Sequence, residues 1–444
     1  MRRERLAVSA LCACAFLFGV SGAVRPGYLF AAEPAGAPSA VPANSWVKIS
    51  DGKMPPQVSG IYAKPVFVGD SGEAVLRIGG AGNHLTFRAA AGKYEQRTGE
   101  FPAGNKFGGI PASPLSGTYL SGLKKLLFIF PNARRFSKKS IGIWLLDPAS
   151  GKWEVQEIGL VMHEKDTDYN PSGMRSGWPV PVWGDLIYDP VNREAVAFGG
   201  AVDFGRVSRE KEPVQPGDWV YDETAEPKRL RRLLEKDKEQ ITEARKWYSA
   251  HAGTWTFSEE TGKWAPTPQP MRKQPPGRIL SQMAFDEEHR KIVLFGGDDR
   301  TRCLSDTWVY DCTSRTWTRA EPKTSPPARA AHALVYVPEA KAVLLAGGYG
   351  GGWRRRKDAW AYSVAENRWV RLAAELPEPV LYSAGYYDPG IKAAVVVTAA
   401  GPKRNKSFPA YALRLDLASA AKGEVEKTDP AMDFHCKARS DPRE

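Results

Sequence analysis

The chain has 444 residues, of which 42% are hydrophobic and 25% charged, with a formal net charge of +12. That balance excludes a chain too polar to bury a core. After the first two dozen residues no apolar run reaches about 18, which leaves no candidate for a transmembrane helix. Length alone would suggest several domains, but the elements below repeat in a way that points to one body.

Taken in chain order, Met1-Arg2-Arg3-Glu4-Arg5 is a basic start and Leu6 to Val20 an apolar stretch too short to span a bilayer comfortably. This pattern predicts a secretory signal peptide with its leader over residues 1–32, and hence export. Ser21-Gly22-Ala23 and Ala31-Ala32 offer small residues for cleavage, and the apolar run past Cys14 argues against lipidation at Leu11-Cys12-Ala13-Cys14. A Pro/Ala-rich leader follows from Glu33, and Asn44-Ser45-Trp46-Val47-Lys48 reads as a closing strand with no unit before it.

The units then begin. Ala74-Val75-Leu76-Arg77-Ile78-Gly79-Gly80 is an apolar strand ending in paired glycines, and Gly92-Lys93-Tyr94 closes that unit. The second holds Leu126-Leu127-Phe128-Ile129-Phe130, Ile143-Trp144-Leu145-Leu146-Asp147 and Gly151-Lys152-Trp153; the third starts with Ala195-Val196-Ala197-Phe198-Gly199-Gly200. More than fifty residues separate this glycine pair from Thr254-Trp255-Thr256-Phe257 and Gly262-Lys263-Trp264. That interval contains Asp218-Trp219-Val220-Tyr221-Asp222, so either Trp219 or Trp255 could mark the third strand. Leu230, Leu233, Leu234, Ile241, Ala244 and Tyr248 stand near helical spacing after Pro227, which predicts an amphipathic helix over about 223–250.

The fourth and fifth units are the most regular: Ile292-Val293-Leu294-Phe295-Gly296-Gly297, Asp306-Thr307-Trp308 and Arg315-Thr316-Trp317, then Val343-Leu344-Leu345-Ala346-Gly347-Gly348, Asp358-Ala359-Trp360 and Asn367-Arg368-Trp369. Trp264, Trp317 and Trp369 lie about fifty residues apart, a period that marks a repeat array. A last unit, Ala393 to Val397 with Tyr411 to Asp416, has no closing Trp. The strand at Trp46 is therefore expected to complete it, joining the two ends of the chain and leaving no open sheet edge. Residues 33–57 are assigned to leader and closing strand, 58–417 to the repeat body, and 418–444, rich in Ala, Lys, Glu, Asp and Pro, to a disordered tail.

Apolar strand, Gly-Gly, aromatic strand and final Trp together resemble the kelch repeat. The resemblance implies an all-β fold, a kelch-type β-propeller of six four-stranded blades, here with a helical insertion in blade three. It also implies that all Gly-Gly loops crowd one face. On that face Arg134, Arg135, Lys138 and Lys139 come from blade two, Trp353, Arg354, Arg355, Arg356 and Lys357 from blade five, and Lys403, Arg404 and Lys406 from blade six. These three loops carry eleven positive charges, while the loops of blades three and four balance Arg and Lys against Asp and Glu. A basic patch with Trp353, Phe136 and Phe408 among it suits an anionic partner, because charge steers and aromatic faces stack. In kelch propellers the residues matching Arg278, Arg329 and His332 sit at the channel mouth, so these are pocket candidates by resemblance; alternatively the arginines bond neighbouring blade carbonyls.

Enzyme motifs are mostly missing. Galactose oxidase shares the propeller, but its copper site needs a Tyr-His step that this chain lacks, and no metal or cofactor is implied. His163-Glu164-Lys165-Asp166-Thr167 lacks the second His of a zinc protease, there is no Gly-x-Ser-x-Gly, and Asp166, Asp168 and Asn170 imitate a calcium loop until Pro171 replaces the required Gly. Phe434-His435-Cys436 alone is too little for a metal. Cys303 and Cys312 flank one strand, about 20 Å apart, so neither pairs with the other, though either could pair with Cys436. The expectation is an exported, monomeric binding module for an acidic glycan or protein partner, with nucleic acid disfavoured. The alternative is a carbohydrate-active enzyme resembling a periplasmic kelch sialic acid mutarotase.

Overall fold

The computed structural model describes residues 41–52, 64–69, 71–78, 84–100, 117–129, 140–159, 184–207, 211–214, 219–222, 224, 229–237, 239–245, 247–250, 253–267, 273–299, 302–398, 408–425 and 433. The expected signal peptide, the calcium-like loop, the His163 motif and Cys436 all lie outside them.

Six four-stranded antiparallel sheets form the blades. The amino-terminal strand β1 (Val47–Ser50) stands apart from the first blade, which is built of β2 (Val66–Val68), β3 (Glu73–Ile78), β4 (His84–Arg88) and β5 (Lys93–Arg97). Blade two contains β6 (Gly117–Leu120), β7 (Lys125–Ile129), β8 (Ser140–Leu146) and β9 (Trp153–Gly159). Blade three begins with β10 (Asp185–Asp189) and β11 (Glu194–Phe198), leaves the sheet through β12 (Ala201–Val207), β13 (Glu212–Pro213), β14 (Trp219–Asp222), β15 (Arg229–Arg232), β16 (Glu243–Ala244) and β17 (Trp247–Ala250), and returns with β18 (Thr254–Ser258) and β19 (Trp264–Thr267). Blade four is β20 (Gln282–Asp286), β21 (Lys291–Phe295), β22 (Thr307–Asp311) and β23 (Thr316–Ala320). Blade five is β24 (Ala333–Val337) and β25 (Ala342–Ala346), a loop hairpin of β26 (Tyr349–Gly350) and β27 (Arg354–Arg355), then β28 (Ala359–Ser363) and β29 (Arg368–Leu372). Blade six contains β30 (Ser383–Asp388), β31 (Ala393–Thr398) and β32 (Ala410–Leu413), and β1 completes it in the order β1-β32-β31-β30.

The helical insertion is corrected. Its described residues form a nested β-arm in which β12 pairs with β17, β13 with β16 and β14 with β15. Leu230 pairs with Tyr221 and Arg232 with Trp219, so cross-strand pairing overrides the helical spacing of the apolar residues. The arm leaves Trp255 as the third-strand tryptophan, opposite Ala197.

Adjacent blades share their cores. Val196 and Phe198 of blade three pack with Trp308, Tyr310 and Trp317 of blade four, and Phe295 of blade four packs with Trp360, Tyr362 and Trp369 of blade five. The closing tryptophan of one blade also donates its indole N–H to the threonine that opens the third strand of the blade before it: Trp317 to Thr254 at 2.8 Å, Trp369 to Thr307 at 2.9 Å. This explains the spacing of the repeat phrase, because each Trp spans an interface rather than filling its own sheet. Trp46, just before β1, likewise packs against the core shared by blades five and six, though its indole N–H has no partner among the described residues.

Order extends past the tail boundary expected at 417, since Ala421 and Gly423 bond the backbone at Ala373 and Arg371. At the other end, Val47 pairs with Ala412 and Asn44 N donates to Arg414 O at 2.8 Å. Deleting residues 41–50 exposes the β32 edge and uncovers the Trp46 site. Urea unfolding should show a loss of about 3–5 kcal/mol; an unchanged midpoint would contradict closure by this strand.

Candidate functional site

The loop face is built on two copies of one arrangement. In blade four, Arg278 Nη1 and Nη2 donate to Asp306 Oδ1 and Oδ2 at 2.6 and 2.8 Å, Nη1 also reaches Gly296 O at 2.8 Å, and Nε reaches Pro276 O at 2.9 Å. In blade five, Arg329 grips Asp358 at 2.9 and 2.5 Å, Gly347 O at 3.2 Å and Pro327 O at 3.0 Å. The indoles of Trp308 and Trp360 complete each carboxylate at 2.7 and 2.6 Å. Each arginine thereby holds both ends of its own Gly-Gly loop. Each also accepts the second glycine of the preceding blade on its carbonyl, Gly200 N to Arg278 O at 2.8 Å and Gly297 N to Arg329 O at 2.9 Å.

The glycine pairs are needed for that approach. Gly297 has φ +107° and a Cβ there would lie 3.0 Å from Ile279 O; Gly348 has φ +90° and a Cβ would lie 2.6 Å from Ala330 O.

These contacts engage the two arginines that the resemblance offers as pocket candidates. Arg278 and Arg329 are fully buried and spend their guanidinium donors inside the blades. Burial alone would raise the Asp358 carboxyl, but Arg329 and the Trp360 indole hold it far below the usual carboxylate range. His332 is also fully buried, edge-on to Phe295 at 5.6 Å, and neither ring nitrogen has a partner among the described residues. Burial, then the Arg329 and Lys64 charges, push its pKa well below the ordinary value, so the ring is neutral.

The channel holds a pair that sequence reasoning missed. Lys64 of blade one places its ammonium 3.0 Å from Asp185 Oδ2 of blade three and 2.7 Å from Met283 O of blade four. Both charged residues stand at the beginnings of innermost strands, which was the signal available; no pattern said that they face one another.

The accessible chemistry lies in the blade-five loop. Tyr349 pairs with Arg355 and Gly350 with Arg354, and a turn over Gly351–Trp353 joins them. Trp353 is 51% exposed, sits at φ +60°, and stacks at 4.6 Å on Tyr349, which is fully buried and donates its hydroxyl to Asp298 Oδ2 at 2.9 Å. Left-handed backbone at a bulky residue costs on the order of 1–3 kcal/mol and clusters at binding sites. Arg354 is exposed, and Arg355 and Arg356 are half-buried beside it. Lys357 pairs with Glu375 at 2.8 Å. Phe408 is corrected to a core residue, 5% exposed. Arg134, Arg135, Lys403 and Arg404, with Phe136, lie outside the described residues.

Two outcomes follow. Asp358→Asn should cost about 3–5 kcal/mol in urea unfolding because it leaves Arg329 buried without its counter-charge; a loss below about 1 kcal/mol would contradict the clasp. For His332, the unfolded chain takes up a proton below about pH 6.5 while the folded ring does not, so stability falls as pH drops below that value. Over that window His332→Phe should flatten the slope by up to about 1.4 kcal/mol per pH unit; an unchanged slope would contradict a buried neutral ring.

The KLHDC2/KLHL20/DRC7 Kelch-repeats domain family matches residues 244–387. Mei4-dependent protein 6 of Schizosaccharomyces pombe is 26% identical over 99 residues, 21% of this chain and 14% of that protein, so the chain spans a small part of that relative. The solved structure of YjhT covers 83% of this chain and 99% of its own at 11% identity, with a TM-score of 0.49. Among the described residues no helix is long and apolar enough to cross a membrane. With the matched repeats of residues 244–387 seated in a ring of six four-stranded blades, the fold is a kelch-type β-propeller.

Proposed function

We propose that this propeller is an exported binding module that holds a carboxylate-bearing partner, an acidic glycan or an acidic protein surface, on its loop face. The observation that carries this reading is Trp353: a half-exposed indole in a left-handed turn, backed by a buried tyrosine and followed by three arginines. An aromatic plane takes the apolar face of a sugar or side chain, and the adjacent guanidinium groups take carboxylates bidentately.

The charge distribution supports the same conclusion. Positive residues gather in the loops of blades two, five and six by sequence, so an acidic partner is attracted to one face before contact. Export rests on the amino-terminal sequence alone. Lys64 and Asp185 neutralise each other across the channel, which favours binding over acid–base chemistry there.

The test is an array of neutral glycans, acidic glycans and acidic peptides probed at low salt and at about 0.5 M, where screening shortens to a few Å. Binding confined to acidic members and weakened by salt is expected. Trp353→Ala with Arg354→Gln and Arg355→Gln should reduce it at least tenfold at an unchanged melting temperature. Binding that persists in that variant would overturn the assignment of the face.

A further inference from the structure

Two separate pieces of the carboxy-terminal segment are docked against blades four and five. Ala373 N donates to Ala421 O and Gly423 N to Arg371 O, both at 2.9 Å, and Leu372 pairs with Lys422. The Arg371 guanidinium donates to Glu424 O. The fit is close, because a Cβ on Gly423 would lie 2.8 Å from Leu372 O. Ten residues further on, Asp433 O accepts the Cys303 N–H at 3.0 Å within the Gly-Gly loop of blade four. Cys303 is 1% exposed, so its amide needs an acceptor, and the tail supplies it.

Arg356 shows why an acid belongs there. Its guanidinium lies over Gly350, where a Cβ would meet Nη2 at 2.8 Å, and its Nε is buried without a hydrogen-bond partner among the described residues. Burial, then the nearby Arg329 charge, disfavour its charged form; Asp358 and Asp433 favour it. Asp358 is already engaged by Arg329 at both oxygens. The Asp433 carboxylate therefore acts as an additional counter-charge for an arginine that is partly desolvated.

We propose that the Cys303 N–H and the Arg356 guanidinium form a recognition site for an extended acidic peptide, and that the chain's own tail at Asp433 occupies it as a tethered competitor. This rests on the acid-binding reading of the loop face and narrows the partner to polypeptide. The occupant offers a main-chain carbonyl to the Cys303 amide, and the same residue brings a negative charge that favours the ionised Arg356 guanidinium. By sequence the segment is acidic, with Glu424, Glu426, Asp429 and Asp433 against Lys422 and Lys427. A short tether gives an effective concentration of order millimolar, which an incoming peptide must overcome.

The test is fluorescence anisotropy with fluorescein-labelled hexaglutamate, on the intact chain, on Asp433→Asn, and on a chain ended after Val425, which keeps the segment bonded to Arg371, Leu372 and Ala373 of blade five. The shortened chain should bind about tenfold tighter or better, Asp433→Asn should lie between, and Arg356→Gln in the shortened chain should remove the gain. Equal affinity for intact and shortened chains, with equal melting temperatures, would overturn the competitor while leaving the acid-binding face standing. Hexaglutamate ignored by every form that still binds acidic glycans would overturn the peptide site alone. Failure of both ligands would overturn the acid-binding face as well.

Discussion

One guanidinium holding both ends of a loop is the constraint on which the face of this propeller depends. Arg329 bonds Gly347 O where the blade-five loop leaves the sheet and Asp358 where it returns. Everything between, Tyr349, Trp353 and the three arginines, is displayed on a span whose ends cannot drift apart. Arg278 does the same for the blade-four loop that carries Asp298 and Cys303. A buried ion pair is a weak source of net stability and a strong source of geometry, since breaking one partner strands the other charge. Blade three shows the contrast. Trp255 there has no acid two residues before it, its indole N–H is unpartnered among the described residues, and the connection runs out into a long β-arm.

Rigid ends with an exposed, strained centre suit recognition. Trp353, in left-handed backbone, stacks on Tyr349, whose hydroxyl is held by Asp298 of the neighbouring blade. The aromatic surface is thus shared between two blades, and a partner that touches it reads their relative placement. Arg356 is placed next to it by backbone bonds to Gly348 and Val380, on the linker toward blade six.

Much of this was legible in the sequence because the repeat is enforced by close contacts that few residues satisfy. Paired glycines, a Trp at fixed spacing and an unmatched amino-terminal strand were enough to give six blades and their closure. The helix over 223–250 failed for a local reason: Leu230, Leu233 and Leu234 keep helical spacing, yet Leu230 is claimed by Tyr221 and Leu234 is left 48% exposed. Pairing with a distant segment is not written in the spacing of one segment. Pro-x-Arg marks the positions of Arg278 and Arg329 in the sequence, while the partner acids lie 28 and 29 residues away and nothing local announces them. The Lys64–Asp185 pair and the Asp433 contact join residues 121 and 130 positions apart, which no motif announces.

Amide hydrogen exchange with and without an acidic ligand, acidic glycan or hexaglutamate, tests the central claim most directly. The account predicts slowed exchange confined to the Gly-Gly loops of blades four and five, residues 297–304 and 347–357, with the turns at the opposite end unaffected. Protection centred instead on the turns at 286–291 and 311–315 would contradict the assignment of the binding face.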